Sequence, residues 1–420
     1  MVLNKKRAGS SRVSSKKKGL LRKVSLKKNA SNKRVFVKKN SLKKKVVLRQ
    51  TPDNIFSKGV DRSLFVTSLK KIDDFLSLDL LKRVAIVSDN DQDGLTAAVQ
   101  MKLFFDSKKI ESKVFFYDHY TKMFSLPKDY FFEFNPEKTI FLDLNEGFVA
   151  TILDTIGTKA GPCLIIDHHQ SSLITNSPFR MVTVKPHSFS SVEASRYPAS
   201  KMVHDLFKGK DWVCAIGVIG DFAHEQWSDF LDSVSKKYDF SRKKLIELDE
   251  IVGCITSQYP EKINSLFEFL CKAKNPNELL KSEYVVFKNL FLARLKILKD
   301  DFYKDAEYYP DSELYFFRSD NRFSGKLSND VSKENPAKVV IIFEQPEGKI
   351  KCSIRRQDFR VNCGELAKAG VKDIPDSNGG GHIPAAGAAF PSEYLEQFKK
   401  QVRIYLLNNP PKEVLTSTKQ

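Results

Sequence analysis

Three carboxylates, Asp89, Asp91 and Asp93, occupy alternate positions in the stretch SDNDQDG, and Gly94 follows them. Like charges at this spacing repel, so the run needs a cation or full solvation. D-x-D-x-D-G also opens the calcium loop of a helix–loop–helix, which requires a bidentate Glu at its twelfth position and a helix on each side. The twelfth position here is Gln100, and the preceding residues, RVAIVS, read as a strand. A calcium loop is therefore not expected.

Further groups of the same chemistry recur along the chain. Asp143 closes IFLDL, Asp167, His168 and His169 close LIIDHH, and Asp221 stands in AIGVIGD. Each has a structural alternative: a helix cap for Asp143, a surface turn for DHH, a capping or solvated carboxylate for Asp221. Together, carboxylates and imidazoles suit Mn2+ or a similar borderline ion better than Ca2+. Their number exceeds what one ion with open positions needs. Two ions about 3.5–4 Å apart, sharing a carboxylate, is the economical arrangement.

A second motif lies near the C-terminus, where NGGGHIPAAG follows SIRR. Gly379, Gly380 and Gly381 would let backbone N–H groups approach a phosphate without Cβ obstruction. His382 and Arg355 could then fix a phosphate or base. Arg356 is the alternative to Arg355, because neighbours on a strand face opposite sides. A plain glycine-rich turn is the structural alternative. Among the other histidines, His119 could line a cleft, and His224 could share a helix face with Asp221. His187 and His204 read as structural or surface residues.

These residues need elements to position them. Helical spacing of apolar residues marks 61–81, and a helix is expected over 95–105. The runs VAIVS, KVFFYDH, KTIFLDLNE and CLIIDHHQ read as strands that each end in polar residues. Strands alternating with helices imply βαβ units, whose functional groups collect past the carboxyl ends of the strands. Residues 199–207 and 212–224 read as helices, and 242–298 is dominated by helical periodicity. From about Tyr303, LYFFRS, KVVIIFEQ and KIKCSIRR signal new strands. The expected fold class is α/β: a first domain with a mainly parallel, five-stranded-type sheet flanked by helices, a smaller C-terminal α/β domain, and a cleft between them. The boundaries are a polybasic tail over 1–50, the first domain and its helical connector over 51–300, the second domain over 301–412, and a tail over 413–420.

Charge is unevenly distributed. Of the 70 Lys and Arg residues, 19 lie within residues 1–50, which contain no Asp or Glu; the other 51 balance the 51 acidic residues. A polybasic arm favours phosphate backbones through counterion release. Anionic membrane surface or a solubilising extension are the alternatives. No apolar run of 18 residues and no secretory signal pattern occurs, so neither a membrane span nor secretion is expected, and the location is read as cytoplasmic. The six cysteines are scattered without a C-x-x-C pair, as expected of reduced, buried thiols.

In this order, DNDQDG, LDL, DHH, GD and the pair SIRR/NGGGHIPAAG resemble the motifs of the DHH/DHHA1 phosphoesterase superfamily. The D-x-D-x-D-G form of the first motif resembles RecJ-like nucleases, and YPAS (Tyr197 to Ser200) resembles archaeal members. The resemblance implies a DHH catalytic domain and a DHHA1 substrate-binding domain. It implies one Mn2+ on Asp89 and Asp91, with Asp143 bridging, and a second on Asp93, Asp143, His168 and Asp221; Mg2+ or Co2+ could substitute. His169 would face the scissile phosphate, and Asp167 would brace the His pair. The implied activity is hydrolysis of single-stranded DNA or RNA by a metal-activated water, as a RecJ-like exonuclease. On that reading Asp93→Ala or Asp143→Ala abolishes activity with the fold retained. The alternatives are a nanoRNase or phosphoadenosine phosphate phosphatase acting on very short substrates, and a replisome-associated scaffold. Replisome (GINS-like) or ribosome-associated factors are conceivable partners of the basic tail. Asp89, where other subfamilies carry His, is the departure that leaves the ligand set open.

Overall fold

The computed structural model describes residues 59–118, 123–169, 180–346 and 348–411. The basic tail over 1–50, the C-terminal tail over 413–420 and His119 lie outside the described residues.

The first sheet contains β1 (Arg83–Asp89), β2 (Glu111–Asp118), β3 (Met123–Phe124), β4 (Lys138–Leu142), β5 (Cys163–Ile166) and β6 (Met181–Val184), in the order β3-β2-β1-β4-β5-β6. The five strands from β2 to β6 in that order run parallel, and β3 adds a two-residue antiparallel edge. The expected five-stranded core is therefore present, with β3 as an addition. The strand β6 was not anticipated, although its VTV core has the β-branched composition of a strand.

Helices cover both faces, which explains why the central strands are almost continuously apolar. Val84 and Ile86 of β1 belong to one core cluster, Ala85 and Val87 to the other. The first layer comprises α1 (Arg62–Leu76), α2 (Gln92–Ser107), and a helical group further along the chain. The second holds α3 (Lys128–Phe134) and α4 (Glu146–Ile156). The helical group contains α5 (Ala199–Phe207), α6 (Asp211–Gly220), α7 (Ser228–Tyr238), α8 (Arg242–Gln258), α9 (Ile263–Lys272) and α10 (Pro276–Leu280). The connector α11 (Tyr284–Asp305) leads to the second sheet. The helix expected over 212–224 ends at Gly220, so His224 shares no helix face with Asp221.

The second sheet contains β7 (Glu307–Tyr309), β8 (Leu314–Arg318), β9 (Val339–Glu344), β10 (Lys349–Arg355), β11 (Asn378–Gly381) and β12 (Ala385–Pro391), in the order β11-β12-β10-β9-β8-β7. Only β8 and β9 pair in parallel. Helix α12 (Ser324–Glu334) and α11 pack on Val340 and Ile342. Helices α13 (Cys363–Gly370) and α14 (Leu395–Asn408) pack on Ile350, Cys352 and Ile354. The glycine run is a strand rather than a turn: β11 forms a hairpin with β12 and occupies the sheet edge.

All six cysteines are free thiols, and five are buried. No helix among the described residues is long and apolar enough to cross a membrane.

Candidate metal centre

The register of the first sheet fixes the centre. Ser88, Leu142, Ile166 and Val184 lie side by side across β1, β4, β5 and β6. The next residue in each strand path is Asp89, Asp143, Asp167 and Lys185. Three carboxylates and an ammonium thus leave the sheet together at its carboxyl edge. The neighbours of β1 are β2 and β4, so the connections diverge on its two sides, which is the switch point where α/β sheets open a crevice.

After Asp89 the chain turns tightly into α2. A Cβ on residue 94 would lie 2.4 Å from the Asp89 carbonyl oxygen, so the turn requires Gly94. Asp91 caps α2, its carboxylate accepting from the Gly94 N–H at 2.9 Å. Asp93 is buried, and its two oxygens accept the backbone N–H groups of Ala199 and Ser200 at 2.6 and 2.9 Å. It therefore ties the start of α5 to the centre while facing His168 and Asp221.

Asp143 stands in left-handed backbone (φ 56°). It caps no helix; Asn145 caps α4 instead. Asp221 ends α6. The His168 Nδ1 lies 3.2 Å from the Ala194 carbonyl, which can only accept, so Nδ1 carries the hydrogen. The other ring nitrogen, Nε2, lies 3.4 Å from Asp143 Oδ1. His169 Nδ1 lies 2.7 Å from Asp167 Oδ1. Lys185, buried and unforeseen from the sequence, donates to Asp167 Oδ2 (2.8 Å), Glu146 Oε2 (3.1 Å) and the His169 carbonyl (2.5 Å). Its signal was the same as that of the carboxylates: a charged residue directly after an apolar, β-branched run.

Three ligand groups result, each with donor atoms within 4.8 Å of one another: Asp89–Asp91–Asp143, Asp93–His168–Asp221 and Asp143–His168–His169. Asp143 and His168 each belong to two of them. The electrostatics call for cations. Burial, then the Asp93, Asp91 and Asp89 charges, hold the Asp143 carboxyl well above the usual range. Burial, then Asp93, push Asp221 up to about 8, and burial is the main cause that lifts Asp93 to about 6. Burial opposes charge on His168, but the Asp93 and Asp221 carboxylates outweigh it and raise its pKa. Asp143 Oδ1 and Asp221 Oδ2 are buried and accept no hydrogen bond among the described residues. Carboxylate oxygens that are buried, mutually repelling and unsatisfied fit divalent-cation ligands. Asp167 differs: burial would raise its pKa, yet His169 and Lys185 hold it below the ordinary range.

The C-terminal candidates gather on the second sheet. Arg355 pairs with Ala385 across β10 and β12, and Gly381 pairs with Ala386. Arg355 is half-buried; its Nε donates to Asn329 Oδ1 at 2.7 Å and its Nη1 to the Ala386 carbonyl at 3.1 Å. Arg356 is buried and ion-paired with Glu313 (3.0 Å) and Asp358 (2.8 Å), which removes it as the alternative to Arg355. His382 is exposed in the hairpin turn. Asn329 also lines a cavity whose other walls include Gln92 and Gly220, beside the acidic cluster. His224 is exposed on that cavity. His204 is structural, its ring nitrogens each 3.5 Å from Asp205 and Asp211.

Comparison with known proteins gives three findings. Residues 314–407 match the DHHA1 domain family. No curated protein sequence matches the chain. Among solved structures, RecJ from Thermus thermophilus in complex with Mn2+ superposes with a TM-score of 0.62 at 14% identity, covering 83% of this chain and 55% of that one. An exonuclease RecJ bound to manganese gives 0.56 at 14% identity, covering 83% and 95%. A DHH domain described as a member of a family of ribosomal proteins gives 0.59 at 14% identity, covering 83% and 93%. The chain thus spans little more than half the length of the Thermus protein.

Proposed function

From a chain with the DHH/DHHA1 fold of these RecJ-like structures, we propose a divalent-metal-dependent phosphodiesterase that hydrolyses single-stranded nucleic acid, a RecJ-like exonuclease. The observation that carries this reading is the sharing of Asp143 and His168 between adjoining ligand groups. Asp89, Asp91 and Asp143 would hold one ion; Asp93, Asp143, His168 and Asp221 would hold the other, with Mn2+ the expected metal. Such ions supply an acidified water and offset charge on phosphoryl oxygens.

The chain's own residues then have distinct tasks. Asp167, anchored by Lys185, keeps the hydrogen of His169 on Nδ1 and so presents Nε2 as the basic nitrogen. That atom can take up or return a proton beside the phosphate. Arg355, His382 and the glycine hairpin hold the remainder of the substrate on the second domain. We assign residues 51–300 to the DHH domain and 301–412 to the DHHA1 domain. The basic residues over 1–50 favour a polymeric substrate, or the ribosome or a replisome as a docking partner.

The test is hydrolysis, with Mn2+, of end-labelled single-stranded DNA and RNA, a dinucleotide and phosphoadenosine phosphate. Stepwise shortening of the long strands supports the exonuclease and gives its polarity. Cleavage of the two small substrates alone replaces it with a short-oligonucleotide hydrolase. Cleavage of none leaves a scaffold.

A further inference from the structure

The cavity beside the acidic cluster measures about 740 Å3, within the size range of small-ligand pockets. Its walls come from α8, α11, α12 and the segment that follows Asp221. Four acidic and four basic side chains line it. Three of the four cations are already tied to carboxylates: Arg242 to Asp232 at 2.8 Å, Lys288 to Glu247 at 2.7 Å, and Lys326 to Asp330 at 2.8 Å. With four charges of each sign, and most of its cations already paired, the lining has no excess positive charge to seat a phosphate. Ile219, Phe222, Ile246, Phe291 and Leu292 also line it. A neutral, largely apolar pocket next to a strongly anionic centre suits the uncharged, flat part of a nucleotide.

Phe222 gives that pocket a specific face. Helix α6 closes with the Ala223 N–H bonded to the Val218 carbonyl and the Phe222 N–H bonded to the Ile219 carbonyl, both at 3.0 Å. This double closure puts the residue after the cap in left-handed backbone, where glycine is the usual choice. Phe222 sits there with φ 56°. The residue is 77% exposed, so packing does not compensate for the strained backbone. The ring stands one residue from Asp221 and lines the cavity.

The polar edge is equally defined. Gln92 lies between Asp91 and Asp93 in the chain, and its side chain runs past Gly220 and Gly253. A Cβ at residue 220 would lie 2.7 Å from Gln92 Cβ, so Gly220 must lack a side chain; one at residue 253 would lie 2.5 Å from Gln92 Nε2 and displace the amide. The slot delivers Gln92 Nε2 to Asp249 Oδ1 at 3.3 Å. An amide and a carboxyl fixed in an apolar wall have the donor and acceptor capacity to meet a base edge.

We propose that this cavity is a nucleobase pocket: Phe222 stacks on a base next to the scissile phosphate, and the Gln92–Asp249 pair meets its edge. The inference rests on the nucleic-acid reading above but is tested by binding alone. A fluorescent single-stranded tetranucleotide and its counterpart with abasic sugars are titrated into the full chain with Ca2+ present. The expected result is a preference for the base-bearing ligand of about 5- to 150-fold, the range for one stacked base. Phe222→Ala should collapse that ratio towards one, and Phe222→Trp should restore it. A wild-type chain without base preference, or a Phe222→Ala variant that keeps it, overturns the pocket. Hydrolysis of the same ligands with Mn2+ is scored separately: binding preference without cleavage supports the pocket and overturns the phosphodiesterase.

Discussion

Lys185 Nζ lies 2.8 Å from Asp167 Oδ2, and both side chains are almost wholly buried. An ion pair in such a place is costly to break from one side, because the remaining charge stays desolvated. Lys185→Met should lower unfolding free energy by about 3–5 kcal/mol, measured by urea denaturation. Adding Asp167→Asn to it should recover part of the loss. A double variant no more stable than Lys185→Met would show that packing, not charge, carries the effect.

Asp143 combines left-handed backbone with an unsatisfied buried oxygen and four neighbouring carboxylates. Asn tolerates that backbone and removes a charge. In EDTA, Asp143→Asn should raise the apparent melting temperature by about 2–8 °C. Mn2+ should stabilise the wild type and leave the variant little changed, with turnover down at least ~100-fold, the order of an electrostatic contribution of this kind. Equal Mn2+ stabilisation of both proteins would remove Asp143 from the ligand set.

Burial pushes the Asp249 carboxyl up to about 7; the Gln92 amide opposes this, while Glu250 and Asp91 add to it. A folded-state pKa above the unfolded one means the folded chain holds an extra proton between about pH 4 and pH 7. Stability should therefore fall as pH rises through that window. Asp249→Asn should flatten the fall by on the order of 2–4 kcal/mol, compared by urea midpoints at about pH 4.5 and about pH 8. Parallel profiles for the two proteins would contradict the assignment.

The glycine hairpin separates structural from functional need. A Cβ on residue 379 would lie 2.6 Å from the Ala367 carbonyl oxygen, whereas one on residue 380 meets nothing within 4 Å. Gly379→Ala should destabilise by about 1–3 kcal/mol. Gly380→Ala should keep the wild-type melting temperature and weaken oligonucleotide binding. Unchanged binding in that variant would reduce the hairpin to a structural edge.

The centre was largely legible because most of its residues stand at or just past the ends of apolar strands, where α/β sheets gather their chemistry, with Asp221 at the end of α6 the exception. Every candidate ligand from Asp89 to Asp221 meets at least two others. What the sequence hid depends on distant partners. Asp93 looked like a ligand alone, but its bonds to Ala199 and Ser200 give it a structural task as well. Asp93→Ala should therefore cost stability as well as activity, contrary to the retained fold expected from sequence. Lys185 was hidden because β6 was not recognised. NGGG gave no strand signal because glycine has low strand propensity, yet close packing on α13 requires it at Gly379. The Arg355/Arg356 choice needed Glu313 and Asp358, which only the fold brings to Arg356.

The alignment of Ser88, Leu142, Ile166 and Val184 makes tolerance to length change uneven along the chain. Side chains alternate between faces along a strand, so one residue inserted within β1 or β4 would send Asp89 or Asp143 to the wrong helical layer or out of step with its neighbours. Insertions in the connections between strands leave that alignment untouched. Lineages of this protein should therefore vary freely in loop length while keeping the residue count of four short segments constant.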